Sequence, residues 1–233
     1  MLSATAVEKR YGDEIAVSDI DFELEPGELT VLIGRSGAGK TTLLRCVNGL
    51  ERPDSGTIRL DGRRAEPTDV ALVFQAGALI DCKSALENVL DGALGHEPAW
   101  RELLGWHGTD EKRAAIERLH AVGLAGDADR RVGDLSGGER QRVGIARALQ
   151  QEPRVLLADE PVASLDPATA RSVLELLAAV VHERRLVGLV SLHQPRLARD
   201  LADRYLGLSD DRVALDAPAS VTDEAAIAAV YDD

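Results

Sequence analysis

The sequence predicts an α/β fold in which helices flank a mostly parallel β-sheet. Three short, largely apolar runs predict its strands, at residues 28–33, 155–158 and 186–192. Such runs are typical of parallel strands that are buried on both faces. In open parallel sheets, ligands bind beyond the carboxyl ends of the strands. We therefore expect the polar residues that follow these three runs to meet at one edge of the sheet.

The first run leads into a glycine-rich loop and a helix expected over residues 41–48. The loop, GRSGAGKT, matches the phosphate-binding pattern G-x-x-x-x-G-K-[ST] in the strand–loop–helix context that the pattern requires. Its glycines let the backbone curl round phosphates, Lys40 is expected to reach the β- and γ-phosphates, and the Thr41 hydroxyl is expected to bind Mg²⁺. The predicted nucleotide-binding residues here are Gly34, Arg35, Ser36, Gly37, Ala38, Gly39, Lys40, Thr41 and Thr42.

The second run ends at an acidic pair, Asp159 and Glu160. Asp159 suits a Mg²⁺ contact through water, and Glu160 is placed to polarise the water that attacks a γ-phosphate. The alternative is a solvated acidic pair at a strand end. Few acidic pairs end a wholly apolar strand beside a phosphate loop, so the sequence favours the catalytic interpretation.

A second glycine pair opens another expected helix, over residues 136–150. Helix N-termini bind phosphate through backbone N–H groups and the positive end of the helix dipole. A single triphosphate needs one such site, so Ser136, Gly137 and Gly138 predict that ATP is held between two copies of the chain. Alternatively, Ser136 and Glu139 form a capping box within their own helix. Capping does not explain the glycines, which cost stability in a first turn unless a group approaches the backbone closely.

Between residues 75 and 151 the apolar pattern becomes helical. Amphipathic helices are expected over residues 84–94, 98–106, 110–122 and 136–150. We interpret residues 76–151 as a helical subdomain that is inserted into a core formed by residues 1–75 and 152–233. The tail from Arg212 predicts a short strand and a helix.

The composition excludes several classes of protein. A net charge of −13 argues against a nucleic-acid-binding surface, because phosphate backbones require clustered Lys and Arg. No apolar run is long enough to span a membrane and no signal peptide is recognisable, so we expect a cytoplasmic protein. The acidic, lysine-poor composition favours a salt-rich cytoplasm, although a GC-rich genome would produce the same arginine and alanine bias. Cys46 and Cys82 are expected to be buried, reduced thiols.

At these motifs the chain resembles the ATP-binding cassette (ABC) ATPases. The octapeptide LSGGERQR at residues 135–142 is similar to the family's signature motif, and residues 155–160 are similar to its Walker B motif, with Glu160 at the catalytic glutamate. The resemblance implies a P-loop NTPase (RecA-like) core, an antiparallel β region near the N-terminus and the inserted helical subdomain. It also implies a head-to-tail homodimer that binds two ATP and drives a membrane permease.

The resemblance gives roles to four further residues. His193, at the end of the third run, resembles the switch histidine that contacts the γ-phosphate, although taken alone it would be an ordinary surface histidine. Gln75 resembles the Q-loop glutamine, a Mg²⁺ and water ligand that moves with the helical subdomain. Asp166 lies in a segment similar to the D-loop, which crosses the dimer interface. Tyr11 resembles the aromatic residue that stacks on adenine, and a packed loop tyrosine is its alternative.

A narrower resemblance links the chain to the ATPase subunits of phosphonate importers. It rests on Trp100 and on residues 87–95, 103–106, 158–167 and 192–194. It implies uptake of a phosphonate, with phosphate or phosphite as close alternatives, through a permease at the inner face of the cell membrane that is supplied by a substrate-binding protein. Phe74, Leu79 and Ile80 are expected to offer apolar contact to a permease helix.

Other functions compete with that of an importer subunit. An ABC ATPase of the same kind could power export or lipid extraction. Soluble ABC ATPases of DNA repair or translation carry long coiled-coil or zinc insertions, or two cassettes in one chain, and this sequence has neither. A non-hydrolysing regulatory module would be expected to lose Lys40, Glu160 or His193, all of which are present.

Overall fold

The computed structural model describes residues 1–74, 78–93 and 108–232. Within these ranges the chain forms two β-sheets with helices packed against them. The strands are β1 (Leu2–Tyr11), β2 (Glu14–Leu24), β3 (Leu29–Gly34), β4 (Ser55–Leu60), β5 (Val70–Val73), β6 (Val155–Asp159), β7 (Val187–Ser191), β8 (Arg204–Ser209) and β9 (Arg212–Pro218). The helices are α1 (Lys40–Asn48), α2 (Ala85–Leu90), α3 (Thr109–Ala121), α4 (Gly137–Gln150), α5 (Pro167–Arg184) and α6 (Glu224–Ala229).

The larger sheet has six strands in the order β5-β6-β7-β3-β8-β9. Every neighbouring pair in it is parallel except β8 with β9. The smaller sheet is antiparallel, has the order β2-β1-β4 and comes from the N-terminal part of the chain. The predicted mostly parallel core and the N-terminal antiparallel region are therefore confirmed.

Strand β3 lies between two hydrophobic cores because its side chains alternate between the faces of the sheet. Val31 and Ile33 belong to a core that includes residues of α4 and α5. Leu32 belongs to the other core, which includes Leu43 of α1 and apolar residues of the antiparallel sheet. All six residues of β3 are buried, so the strand holds the start of its following loop between two packed layers.

The strands and helices that flank the predicted loop lie close to their expected positions. Strand β3 begins and ends one residue later than predicted, and α1 begins at Lys40. Strand β6 includes Asp159, and β7 is shorter than the predicted run by one residue at each end. The tail predicted as a strand and a helix is observed as β9 and α6.

Helices α2, α3 and α4 lie between β5 and β6 in the chain, where the sequence predicts a helical subdomain. The helix predicted over residues 84–94 is shorter, because α2 ends at Leu90 and a single 3₁₀ turn follows at Asp91–Ala93. In that turn a Cβ on Gly92 would lie 2.1 Å from the carbonyl oxygen of Arg147. The turn therefore contacts the backbone of α4 directly.

Some expectations are corrected or lie outside the described ranges. The predicted helix at residues 98–106, with Trp100, falls outside them, and the division into subdomains stays a prediction. Cys46 is buried as expected, but Cys82 is exposed because it lies in the turn before α2. Of the helices in residues 1–74, 78–93 and 108–232, none has the length and apolar character that crossing a membrane requires.

Candidate functional site

The loop after β3 and the residues after β6 and β7 lie at one edge of the parallel sheet. Strand β7 lies between β3 and β6, and Ser191 pairs with Leu32 on one side and with Asp159 on the other. The phosphate-loop pattern begins at Gly34, the last residue of β3. Its residues therefore share this edge with Glu160 and His193, as the three apolar runs predicted.

The backbone of the β3 loop requires glycine. Gly34, Gly37 and Gly39 have φ angles of 150°, 88° and 86°, a region that residues with a side chain rarely adopt. A Cβ on Gly39 would also lie 2.2 Å from the carbonyl oxygen of Ala16. The loop is thus held against the antiparallel sheet in a curled conformation that leaves no room for a side chain at this point.

Lys40 lies folded back over this loop. Its Nζ donates hydrogen bonds to the carbonyl oxygens of Gly34 at 2.7 Å and Arg35 at 2.8 Å, and only 5% of the residue is exposed. Burial lowers the pKa of the Lys40 ammonium, and the nearby Glu160 and Asp159 carboxylates partly offset this effect. A buried cation held by neutral carbonyls is poised to take a more negative partner.

Asp159 is the centre of a hydrogen-bond network that joins three elements. Its Oδ1 accepts from the Thr41 hydroxyl at 3.2 Å and from the Ser191 hydroxyl at 2.8 Å. The Ser191 hydroxyl in turn accepts from the Glu160 N–H at 2.9 Å. Ser191 was not among the predicted site residues, although a fully buried hydroxyl within an apolar strand needs a partner. These bonds fix Asp159 and Glu160 relative to α1.

Glu160 and His193 lie side by side at the edge of the sheet. Nε2 of His193 is 2.6 Å from Oε1 of Glu160, and their side chains are 44% and 20% exposed. Glu160 has a φ of 48°, a strained conformation for a residue with a side chain that the Ser191 bond helps to maintain. The pair offers a partly exposed carboxylate, which can accept a proton from water, beside an imidazole that orients it.

The second glycine pair lies at the start of α4. The Ser136 hydroxyl accepts from the Glu139 N–H at 3.3 Å, and a Glu139 carboxylate oxygen accepts from the Ser136 N–H at 2.7 Å. This is the capping box that the sequence analysis gave as the alternative. A Cβ on Gly138 would lie 2.4 Å from Cγ2 of Thr169, and one on Gly137 would lie 2.9 Å from Cδ2 of Leu165. Close packing within the chain itself therefore accounts for Gly138, whereas the flexible Leu165 side chain could move away from a Cβ at Gly137.

Asp166 and Tyr11 each make contacts within the chain. Asp166 caps α5, where Oδ1 accepts from the N–H groups of Ala168 at 3.1 Å and Thr169 at 3.0 Å, and hydrogen bonding from Thr169 leads the effects that lower its pKa. Tyr11 is 47% exposed and donates a hydrogen bond from its hydroxyl to Glu51. The pKa of Tyr11 is raised by burial and by Glu51, and the Lys9 ammonium lies 5.6 Å from the ring centroid.

Gln75 lies outside the described residues, directly after Phe74. The Phe74 carbonyl accepts from Nε2 of Gln141, a buried residue of α4, at 3.5 Å. No group of three or more His, Cys, Asp or Glu residues within the described ranges could hold a metal ion by itself. The joined oxygens of Thr41 and Asp159 are nevertheless the hydroxyl and carboxylate donors that suit Mg²⁺ alongside waters and phosphate oxygens.

The chain is similar in sequence to known proteins. Residues 17–163 match a family model described as ABC transporter. The phosphonates import ATP-binding protein PhnC 1 of Natronomonas pharaonis is 71% identical over 233 residues, and the match covers 100% of both chains. The hypophosphite import ATP-binding protein HtxD of Stutzerimonas stutzeri is 45% identical over 229 residues, which cover 94% of this chain and 67% of that protein.

Among solved structures, the dimeric form of MJ0796, a bacterial ABC transporter cassette, matches with a TM-score of 0.79 and 30% identity. The match covers 94% of this chain and 99% of that one. The similarity therefore extends over nearly the whole length of both chains.

Proposed function

The chain belongs to the ABC transporter family, and we propose that it is the ATP-hydrolysing subunit of a phosphonate importer. The main support is the meeting of the β3 loop with Asp159, Glu160 and His193 at one edge of the sheet. A phosphate loop alone would serve many kinds of nucleotide-binding protein. A carboxylate and an imidazole in contact beside that loop supply the groups that hydrolysis needs.

The β3 loop and the first turn of α1 bind the phosphates of ATP. Lys40 exchanges the two loop carbonyls for β- and γ-phosphate oxygens, which are stronger partners for a buried cation. The α1 N-terminus and the loop N–H groups add further donors, and Tyr11 stacks on adenine. The proposed nucleotide-binding residues are Tyr11, Gly34, Arg35, Ser36, Gly37, Ala38, Gly39, Lys40, Thr41, Thr42, Gln75, Ser136, Gly137, Gly138, Asp159 and Asp166.

Thr41, Gln75 and Asp159 would hold Mg²⁺, with Asp159 acting through water. When bound, the ion neutralises charge that develops on the phosphate oxygens. The chain's own contribution is to orient these ligands. Ser191 donates to Asp159 and accepts from the Glu160 N–H, so one buried hydroxyl keeps the metal-binding carboxylate and the catalytic carboxylate in a fixed relation.

Glu160 polarises the attacking water and accepts its proton, while His193 contacts the γ-phosphate. Their contact at 2.6 Å allows each side chain to orient the other. Lys40 completes the proposed catalytic set by stabilising charge on the phosphate. A positioned general base of this type contributes a factor of roughly 10² to 10⁴ to a rate.

The N-terminus of α4, which carries the second glycine pair, acts across a head-to-tail homodimer. Ser136, Gly137 and Gly138 of one copy contact the ATP held by the β3 loop of the other copy, and Asp166 lies at the interface. The Ser136 hydroxyl caps its own helix as an acceptor, which leaves its hydrogen to donate to a phosphate oxygen of the partner's nucleotide. This dual use combines the two interpretations of Ser136.

The membrane permease contacts the cleft between α1, β5 and α4. Phe74 and Leu50 line this cleft and are 37% and 60% exposed. Ile80, in the segment that follows, is 43% exposed. These residues offer apolar surface next to the connection that contains Gln75. The chain thereby lies on the cytoplasmic face of the membrane. Closure of the dimer on ATP changes the conformation of the permease, and hydrolysis returns the permease to its starting state.

The transported substrate follows from the relatives. The full-length match at 71% identity is to a protein named for phosphonate import, and a more distant relative is named for hypophosphite import. Phosphonate is therefore the proposed substrate, and a smaller phosphorus anion is the second candidate. The ATPase subunit does not contact the cargo, so the test must include the permease and the substrate-binding protein.

Reconstitution of the chain with a phosphonate permease and its substrate-binding protein tests this function. We expect ATPase activity to rise with phosphonate-loaded binding protein more than with hypophosphite or phosphate. Stimulation only by an amino acid or a lipid would refute the substrate and leave the ATPase assignment in place. Activity without any dependence on a permease would instead favour a non-transport ABC ATPase.

Membrane recruitment tests the docking surface separately. Ile80→Asp and Leu79→Asp are expected to prevent recruitment by the co-expressed permease without abolishing ATP binding. Ile116→Asp on α3 is the matched control, because Ile116 is similarly exposed at 47% and lies on a different helix. Equal loss of recruitment in the control would contradict the docking surface.

A further inference from the structure

The segment after Gln75 is fastened to helix α4 by two arginines. Nη2 of Arg140 donates to Oδ1 of Asp81 at 2.5 Å, and Nη1 of Arg147 donates to the Ala78 carbonyl at 2.7 Å. Residues seven positions apart lie on the same face of a helix. Two points of one helix face therefore hold two points of residues 78–83, which we call the tether segment.

The tether segment is also joined to the loop that precedes the second glycine pair. The Gly133 N–H donates to the Asp81 carbonyl at 3.0 Å, and the Val132 N–H donates to the Lys83 carbonyl at 3.0 Å. Nη1 of Arg140 donates to the Val132 carbonyl at 3.3 Å. Arg140 thus bridges the loop and the tether segment from the first turns of α4, four residues after Ser136.

The tether segment is held by both backbone and side-chain hydrogen bonds. The Asp81 side chain is 65% exposed and that of Arg140 is 27% exposed, so the ion pair alone is screened and contributes little to overall stability. Its effect is geometric, because it closes a small network that also contains two arginine-to-carbonyl bonds and two backbone hydrogen bonds. Opening the pair removes one of the two arginine links between the tether segment and α4, while α4 keeps its own packing.

We propose that Arg140 and Arg147 are positioning residues that make the tether segment move with the Ser136 end of α4. The proposal rests on the proposed function, because it names the residues that transmit movement from the ATP held across the dimer to the permease contact at Leu79 and Ile80. Neither arginine is among the proposed nucleotide-binding residues. Their loss uncouples nucleotide hydrolysis from the permease and leaves the hydrolytic groups in place.

Charge exchange across the pair tests the proposal. Arg140→Asp and Asp81→Arg each place like charges together, and the double variant restores an opposite pair. In the isolated chain we expect amide hydrogen exchange of residues 78–83 to rise roughly two- to five-fold in each single variant, as loss of an exposed ion pair predicts, and to return toward the original value in the double variant. Arg140→Gln gives the same test with a neutral, shorter side chain.

The matched control is the Arg113–Glu117 pair on α3, whose Nε and Oε1 atoms are 3.3 Å apart and which joins no second segment. Exchanging these two charges should leave the exchange of residues 78–83 unchanged. In the reconstituted transporter, the Arg140 and Asp81 single variants should keep basal ATPase activity, lose most of the stimulation by loaded binding protein, and regain it in the double variant.

Two results would overturn the proposal. One is unchanged exchange of residues 78–83 in Arg140→Asp, Arg140→Gln and Asp81→Arg. The other is loss of basal and stimulated activity in equal proportion, without recovery in the double variant, which would show a merely structural role. Failure of the proposed function is distinguishable, because it removes phosphonate stimulation from the unmodified protein while the hydrogen-exchange result of the isolated chain stands by itself.

Discussion

The two glycine-rich helix starts of this chain look alike in sequence but are built differently. In the β3 loop, three glycines adopt positive φ angles and Gly39 lies against the backbone carbonyl of Ala16. At the start of α4, Gly137 and Gly138 are helical, and side chains of α5 and its preceding turn lie where a Cβ would point. The first site is shaped by the path of its own backbone, and the second by the packing of a neighbouring helix.

The difference extends to the polar groups. The β3 loop leads directly into Lys40 and Thr41, and Lys40 donates to loop carbonyls. The Thr41 hydroxyl donates to Asp159 and so connects the loop to the hydrogen-bond network of another strand. The α4 start uses its serine to cap its own helix and its glutamate to complete the cap. A site with a buried cation suits a ligand bound by a single chain, whereas the proposed role of the capped start of α4 depends on a ligand held by a second copy.

The largest expected effect separates hydrolysis from binding. Glu160→Gln keeps the size of the side chain but removes the group that accepts a proton from water, so turnover should fall by roughly 10² to 10⁴. ATP affinity should remain, because the β3 loop is untouched, and the variant should accumulate as an ATP-bound dimer. Single-turnover kinetics and equilibrium ATP binding measure the two effects. Near-normal turnover would show that Glu160 is not the catalytic base.

The two kinds of glycine should differ in how a substitution can be rescued. Gly39→Ala combines a strained φ with a backbone clash and should cost at least about 2 kcal/mol of unfolding free energy. Gly138→Ala clashes only with the Cγ2 methyl of Thr169 and gains helix propensity, so its net cost should be about 0 to 2 kcal/mol.

Thr169→Ser removes that methyl and supplies the control. Added to Gly138→Ala it should recover most of the lost stability, and added to Gly39→Ala it should recover nothing. Urea unfolding of the isolated chain measures all of these variants. Rescue of Gly39→Ala by Thr169→Ser, or equal costs at the two glycines with no rescue at either, would contradict the distinction.

The smallest expected effect concerns the acidic surface. With a net charge of −13, the folded chain repels itself, and raising KCl from about 0.1 to above 1 M shortens the screening length from roughly 10 to 3 Å. The melting temperature should rise by a few degrees over that range. A flat or falling melting temperature would instead favour genome composition as the origin of the arginine-rich, lysine-poor sequence.

The sequence predicts the fold and the conformation of the β3 loop well because both depend on local patterns. Apolar runs predict strands buried on both faces, and the loop pattern predicts a turn that only glycine can form. Ser191 was missed because its role depends on Asp159 and Glu160, which only the parallel pairing of β6 and β7 brings beside it. The packing role of Gly138 was missed in the same way, because Thr169 contacts it from another helix.

ATP-driven dimerisation of Ser136→Arg in the Glu160→Gln background tests the central claim most directly. Nucleotide titration measures binding by the single chain, and size-exclusion chromatography with and without ATP measures the dimer. We predict unchanged nucleotide affinity together with loss of the ATP-dependent dimer, because Ser136 meets the nucleotide of the other copy. Equal loss of single-chain affinity, or a dimer that persists with arginine at position 136, would contradict a site shared between two copies.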